Sequence, residues 1–355
     1  MQSSLQNFQK VYQMLRDEQS RYVYLKRLDY LISNDYRHIK EIVPSNLAYS
    51  DLGNRFAFFG EVLSKIPEDA KIVLYGSGSY PMEHLLEWNG DRRIIGFCSN
   101  NAEKQRIGYL GYPVMGPEEL AGQRDYYVIV SVVQAKPKEE ILCFLEEAEY
   151  PKEKIFYHFE QEREPGQYFD TDFMEFGDHE VFVDAGSCNL DTSLEFRKRC
   201  PNLKKVYAFE PDPDNYNLCV ERKKQAGFDE ADIFPYGTWD KDEMLHFNVR
   251  GTGGTCITEG EGMISLPVRA IDEVIPSGEK VTFIKMDVEG AELKSLKGCQ
   301  KIIQRDRPKL AICIYHKPDD MVEIPLYIKE LVPEYKLYVR HHSNCEWETV
   351  LYAMP

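Results

Sequence analysis

Three short stretches in the second half of the chain each end an apolar run on an acid. They are Phe182-Val183-Asp184-Ala185-Gly186-Ser187, Ala208-Phe209-Glu210-Pro211-Asp212, and Phe283-Ile284-Lys285-Met286-Asp287-Val288-Glu289-Gly290. In an open α/β sheet, ligands bind outside the carboxyl ends of the strands. Asp184 suits a ligand with a positive amino group, and Gly186 lets the backbone approach that ligand closely. The helix start that follows favours a carboxylate. A zwitterionic amino-acid tail meets both demands at once. Glu210, ending the next strand, is placed to accept hydrogen bonds from ribose hydroxyls, and its separation from Asp184 is that of neighbouring strands in one βαβ unit. Asp287 and Glu289 share one turn, where one acid can hold a cofactor amino group and the other orient a nucleophilic hydroxyl. Each stretch alone also reads as a capped βα turn; the three in one order argue for a site.

Proton removal from an alcohol needs a base in reach, and the candidates are Asp287, Glu289 and His316, the last ending the apolar run Leu310–Tyr315. The same three side chains form an alternative divalent-metal set, but no tight ligand spacing marks one, so no metal is expected. His341 and His342 are adjacent in a strand-like run; neighbouring strand residues point to opposite faces, so they do not share an ion. The glycine-rich stretch 251–255 lacks a Gly-Lys-Ser/Thr ending and reads as a hairpin bordering a substrate. Gly76-Ser77-Gly78-Ser79-Tyr80-Pro81 has two of the three dinucleotide glycines, and the next strand ends Phe97-Cys98-Ser99-Asn100 without a ribose-binding acid. An NAD-dependent redox role is therefore disfavoured.

The elements that must position these residues follow from periodicity. Residues 1–65 read as a helical packing segment, with Phe8, Val11, Tyr12 and Leu15 at helical spacing. Residues 66–160 alternate apolar runs with helical stretches, the pattern of a small Rossmann-like domain. Residues 161–178 contain Pro165-Gly166 and read as a linker. Residues 179–355 restart the alternation and close with Lys336–Arg340 and Thr349–Ala353, near enough to pair antiparallel. The fold class is α/β, with two Rossmann-like domains. The C-terminal one is a seven-stranded sheet of methyltransferase plan with an antiparallel last strand.

In sequence, Val-Asp-Ala-Gly at 183–186, Ala-Phe-Glu-Pro at 208–211 and Ile-Lys-Met-Asp-Val-Glu-Gly-Ala-Glu at 284–292 occur in order. With Arg307-Pro308-Lys309-Leu310 and Tyr315-His316, they resemble the FkbM-type methyltransferases over residues 179–355. The resemblance implies S-adenosylmethionine as cofactor. Asp184, Gly186 and Ser187 would hold its methionine end, Glu210 its ribose, and Gly237, Thr238 and Trp239 would lie near adenine. Asp287 would sit beside the transferring methyl. The implied reaction is O-methylation of a sugar, glycan precursor or secondary metabolite. One departure is Leu190, where the family usually has glycine; a leucine there is expected to crowd the cofactor. A chain so altered could instead be a non-catalytic binding protein. The stretch from Lys71 to Val114 resembles nucleotide-sugar-binding domains of sugar-modifying acetyltransferases, which would set Gly76, Gly78 and Ser79 against a phosphate. Otherwise that domain is a scaffold or a homo-dimerisation module.

Composition narrows the partners. A formal charge of −16 argues against gripping nucleic acid or an anionic membrane surface. No apolar stretch approaches the roughly 20 residues of a membrane helix, and the first ten residues lack a signal-peptide core. Nine cysteines include no Cys-x-x-Cys pair, and several sit in apolar runs, the usage of a reducing compartment. The expected setting is cytoplasmic, with a small-molecule or glycan acceptor as partner.

Overall fold

The computed structural model describes residues 5–33, 35, 37–47, 54–56, 59–158, 163–164, 166–169, 172–248, 256–257 and 264–355. The chain divides into two compact units, residues 28–162 and residues 1–27 together with 163–355. The first unit is built on a six-stranded, wholly parallel sheet. Its strand order is Arg55–Phe56, Ile155–His158, Tyr127–Val130, Ile72–Tyr75, Ile94–Cys98, Val114–Met115. The central strands are continuous apolar runs because helices cover both faces of such a sheet. Trp88, Phe97 and Phe59 pack on one face, while Val73, Val128 and Leu145 pack on the other.

The second unit carries the seven-stranded sheet. In chain order its elements are β1 (Val181–Ala185), α1 (Asp191–Arg199), β2 (Lys205–Phe209), α2 (Pro213–Gln225), β3 (Ala231–Phe234), β4 (Phe283–Met286), β5 (Lys309–Cys313), α3 (Asp320–Leu331), β6 (Lys336–His341) and β7 (Thr349–Met354). Across the sheet the order is β6-β7-β5-β4-β1-β2-β3, and β7 alone runs antiparallel to its neighbours. The order reverses between β1 and β4, which opens a crevice at their carboxyl ends. α2 starts there because Pro213 needs no amide hydrogen and Asp212 accepts from Asp214 N–H and Asn215 N–H at 2.9 and 3.3 Å.

Several elements differ from the sequence expectation. The single helical segment at 1–65 is divided between the units: residues 5–27 belong to the second, and Arg55–Phe56 is an edge strand of the first. The early helices cover the exposed edge of β6, where Ser20 Oγ accepts from Val339 N–H at 3.0 Å and Asp17 binds Arg340 at 2.8 Å. Unpaired edge amides need such a cover. The stretch 161–178 is no linker: Tyr168, Phe169 and Met174 are buried in the core of the second unit, and Phe173 stacks on Tyr338 at 4.0 Å. Its aromatic content outweighs the Pro-Gly signal. After the Asp287 turn the chain forms two short helices, Glu292–Lys297 and Gln300–Asp306. Between them, a Cβ on Gly298 would stand 1.8 Å from the Trp239 carbonyl oxygen. Beyond β3, Gly237–Thr238 joins a four-stranded sheet with Glu243–Asn248, Cys256–Ile257 and Ile264–Arg269. The glycine-rich stretch 251–255 lies outside the described residues.

Candidate active site

Register sets the floor of the site. β1 and β4 pair so that Asp184 lies beside Lys285 and Ala185 beside Met286. Asp184 is fully buried; its carboxylate lies 3.2 Å from Lys285 Nζ and accepts from Ser193 Oγ at 2.6 Å. Lys285 is buried too, and Nζ donates to the Gly186 carbonyl at 2.6 Å. Burial works against its charge, but Asp184 and Asp287 keep the ammonium above its usual pKa. The two chains thus cross closely: a Cβ on Gly186, at φ +78°, would meet the Asp287 carbonyl oxygen at 1.8 Å. Only glycine fits that crossing.

Above this floor lies a cleft lined by Gly186, Cys188, Glu210, Thr238, Asp287 and Glu289 among others. Phe209, Tyr236 and Phe247 supply flat apolar walls, the last from the four-stranded sheet. Glu210 is 4% exposed, and its two oxygens accept from Cys188 N–H at 2.7 Å and Asp212 N–H at 2.9 Å. Burial raises its pKa to about 7, against the lowering effect of those amides.

At the end of β4, Asp287 accepts from the hydroxyls of Tyr168 (2.9 Å) and Tyr315 (3.2 Å). Burial opposes its ionisation, but Lys285, His316 and these bonds hold the carboxyl below its usual range. Glu289 follows in left-handed backbone at φ +53°, and burial lifts it to about 7. His316 Nε2 lies 3.6 Å from both Asp287 Oδ1 and Glu289 Oε2, and Nδ1 lies 2.9 Å from the buried Glu292. Burial disfavours the imidazolium, but Glu292, Asp287 and Glu289 overcome it and raise the pKa to about 10. The raised pKa favours the imidazolium, which donates a proton more readily than it accepts one.

Gly186, Glu210, Gly237, Thr238, Asp287 and Glu289 therefore line one cleft, as grouped from sequence, with His316 touching it from behind the two acids. Asp184, Ser187 and Trp239 do not line it. Asp184 is spent on Lys285 and Ser193, and Ser187 N–H donates to the Phe209 carbonyl at 3.0 Å. Leu190 does not crowd the cleft either. It adopts φ +68° at the start of α1 and buries its side chain in the core with Phe196, Leu203 and Val206. His341 and His342 bind different partners, Thr349 at 2.9 Å and Glu164 at 2.7 Å. Tyr168, Tyr236 and Phe247 were missed; Tyr168 sits in the stretch read as linker, and Phe247 is brought in from a hairpin.

In the first unit, Gly76 takes φ +125°, and Tyr109 OH donates to the Gly78 carbonyl at 2.6 Å. Lys104 Nζ donates to the Ser77 carbonyl, and Ser79 opens a helix of only four residues. Among the described residues no helix is long and apolar enough to cross a membrane.

Residues 177–337 match the family described as Methyltransferase FkbM domain. A curated relative, the hexuronic acid methyltransferase AglP of Haloferax volcanii, is 31% identical over 131 residues, 35% of this chain. The chain spans about half (52%) of that relative's length. The crystal structure of Methyltransferase FkbM from Methylobacillus flagellatus KT superposes with a TM-score of 0.52 at 18% identity, over 93% of this chain and 98% of that one. At that identity the likeness speaks to fold alone.

Proposed function

We propose that the FkbM domain transfers a methyl group from S-adenosylmethionine to a hydroxyl of a sugar, glycan precursor or related metabolite. The observation that carries this is the cleft at the β1/β4 reversal, where Gly186, Glu210, Asp287 and Glu289 converge. The cradle fits the cofactor's parts. Glu210 is fixed by two amides and presents a carboxylate to ribose hydroxyls, and Tyr236, Phe209 and Phe247 give adenine an apolar slot. Gly186 lines the cleft beside Asp287, where the methionine chain would lie. The match to a hexuronic acid methyltransferase supports a sugar acceptor.

The cofactor supplies an electrophilic methyl on sulfur; the chain's residues align the acceptor and take its proton. In-line displacement depends chiefly on alignment. Asp287, clamped by two tyrosine hydroxyls, is a fixed hydrogen-bond acceptor at the cleft floor. Glu289, with a pKa near 7, suits the role of base. His316 balances the charge of the acids around it. The binding-protein alternative rested on Leu190 closing the loop, and its side chain lies in the core instead.

Calorimetric titration with S-adenosylmethionine and S-adenosylhomocysteine, with NAD as control, tests the reading. Micromolar binding, roughly −8 kcal/mol, with no response to NAD, is expected. Transfer of labelled methyl to a panel of sugars, including uronic acids, then identifies the acceptor. A folded protein that binds neither cofactor form would end the proposal.

A further inference from the structure

The cluster at the methyl-transfer end of the cleft has the arrangement of a metal site. Asp287 Oδ1, Glu289 Oε2 and His316 Nε2 lie within 4.8 Å of one another. Neither ring nitrogen of His316 makes a well-aligned hydrogen bond, although the side chain is only 10% exposed, and Nε2 lies 3.6 Å from each of the two carboxylates. The other ring nitrogen is 2.9 Å from Glu292 Oε1. That carboxylate is fully buried and anchored by the amides of Val288 and Gly290 at 3.0 and 3.4 Å. A buried carboxylate on one imidazole nitrogen, with the other left open toward acids, is how ligating histidines are oriented.

We propose that Asp287, Glu289 and His316 bind one divalent cation, which replaces the proton on His316 Nε2 and releases it to solvent, with Glu292 orienting the imidazole. Donors about 2.1 Å from an octahedral ion stand about 3.0 Å apart, so a small closure of the 3.6 Å gaps completes the set. Two carboxylate oxygens and one imidazole favour Mn²⁺ and its first-row neighbours over Mg²⁺. A second group of acids and thiol, Asp287, Cys313 and Glu348, is less apt, since burial pushes the Cys313 thiol well above its usual pKa and disfavours the thiolate a metal needs. The role of the ion rests on the methyl-transfer reading. Its remaining positions take the acceptor hydroxyl and lower that group's pKa. The hydroxyl proton passes to the free oxygen of Glu289. The oxygen–methyl bond forms as the sulfur–methyl bond breaks, and S-adenosylhomocysteine leaves.

The test titrates chelator-treated full-length protein with Mn²⁺, followed by calorimetry and by loss of the free-ion paramagnetic resonance signal. S-adenosylhomocysteine binding is measured on the same samples. One equivalent of Mn²⁺ should bind. Glu289→Gln should weaken it at least about tenfold, with the circular-dichroism spectrum and melting temperature of the metal-free protein unchanged, which certifies the fold. Glu292→Gln, which touches no ion, should still cost about 10- to 100-fold. No uptake at millimolar Mn²⁺ or Zn²⁺, or equal affinity in wild type and both variants, overturns the site. Mn²⁺ uptake without S-adenosylhomocysteine binding supports the site and overturns only the role given to it.

Discussion

Replacing Leu190 by glycine restores the residue usual in the family's loop, and the structure predicts that the change harms the protein without helping the site. Two effects oppose each other. Leu190 holds φ +68° and ψ 4°, a left-handed conformation that costs a non-glycine residue about 1–2 kcal/mol, and glycine removes that strain. The side chain, however, is fully buried beside Phe196 and Leu203. Deleting a buried leucine to alanine costs about 2–5 kcal/mol, and glycine adds about 0.5–1 kcal/mol of unfolded-chain entropy. Packing wins, with a net loss near 3 kcal/mol. Leu190→Ala keeps the strain and makes a similar cavity, so it should be less stable than Leu190→Gly by about 1 kcal/mol. Urea unfolding of both variants reads these values as shifts in midpoint at constant slope. Because Leu190 does not line the cleft, S-adenosylhomocysteine affinity of the folded Leu190→Gly variant should stay within about threefold of wild type. A tenfold gain in affinity with no loss of stability would show that the leucine reaches the cofactor after all.

Glu210→Gln should lower S-adenosylhomocysteine affinity about 10- to 100-fold at pH 8, the loss of hydrogen bonds to a charged group. In the wild type, affinity should weaken as pH falls through about 7, where Glu210 takes up its proton, and the variant should lose that dependence. Stability runs the other way. The folded chain holds this proton more tightly than the unfolded one, so ionisation removes stability as pH rises from about 4.5 to about 7. Melting curves across that range should decline less steeply in the variant; parallel declines would refute the assignment. Lys285→Met leaves Asp184 buried without its counter-charge and should cost about 3–5 kcal/mol. Adding Asp184→Leu should recover most of that loss, and a single-variant cost under about 1 kcal/mol would mean the pair is not buried together.

Much of the fold was legible because strands buried on both faces must be apolar throughout. Val181–Ala185, Lys205–Phe209 and Phe283–Met286 announce themselves in that way, and each hands its last acid or the next residue to the same sheet edge. Glu210, Asp287 and Glu289 follow from that rule, since a parallel sheet brings the carboxyl ends of its strands together whatever the intervening chain. The sequence also settled that His341 and His342 act separately, from the two-residue period of a strand.

Tertiary structure decided what that rule leaves open, chiefly which way a side chain points once its backbone is placed. Asp184 ends a strand as Glu210 nearly does, yet register against β4 sets it beside Lys285, inside the sheet rather than in the cleft. Leu190 lies in the loop next to the cofactor cleft, but a left-handed turn directs it into the core. Tyr168 and Phe247 reach the site from segments distant in sequence, and no local period encodes such an approach. The charge on His316 was equally out of reach. It depends on three carboxylates converging on one imidazole, Asp287, Glu289 and Glu292. The sequence names those acids; only their closeness in a buried place, where burial and Coulomb attraction compete over a few ångströms, fixes what the histidine does.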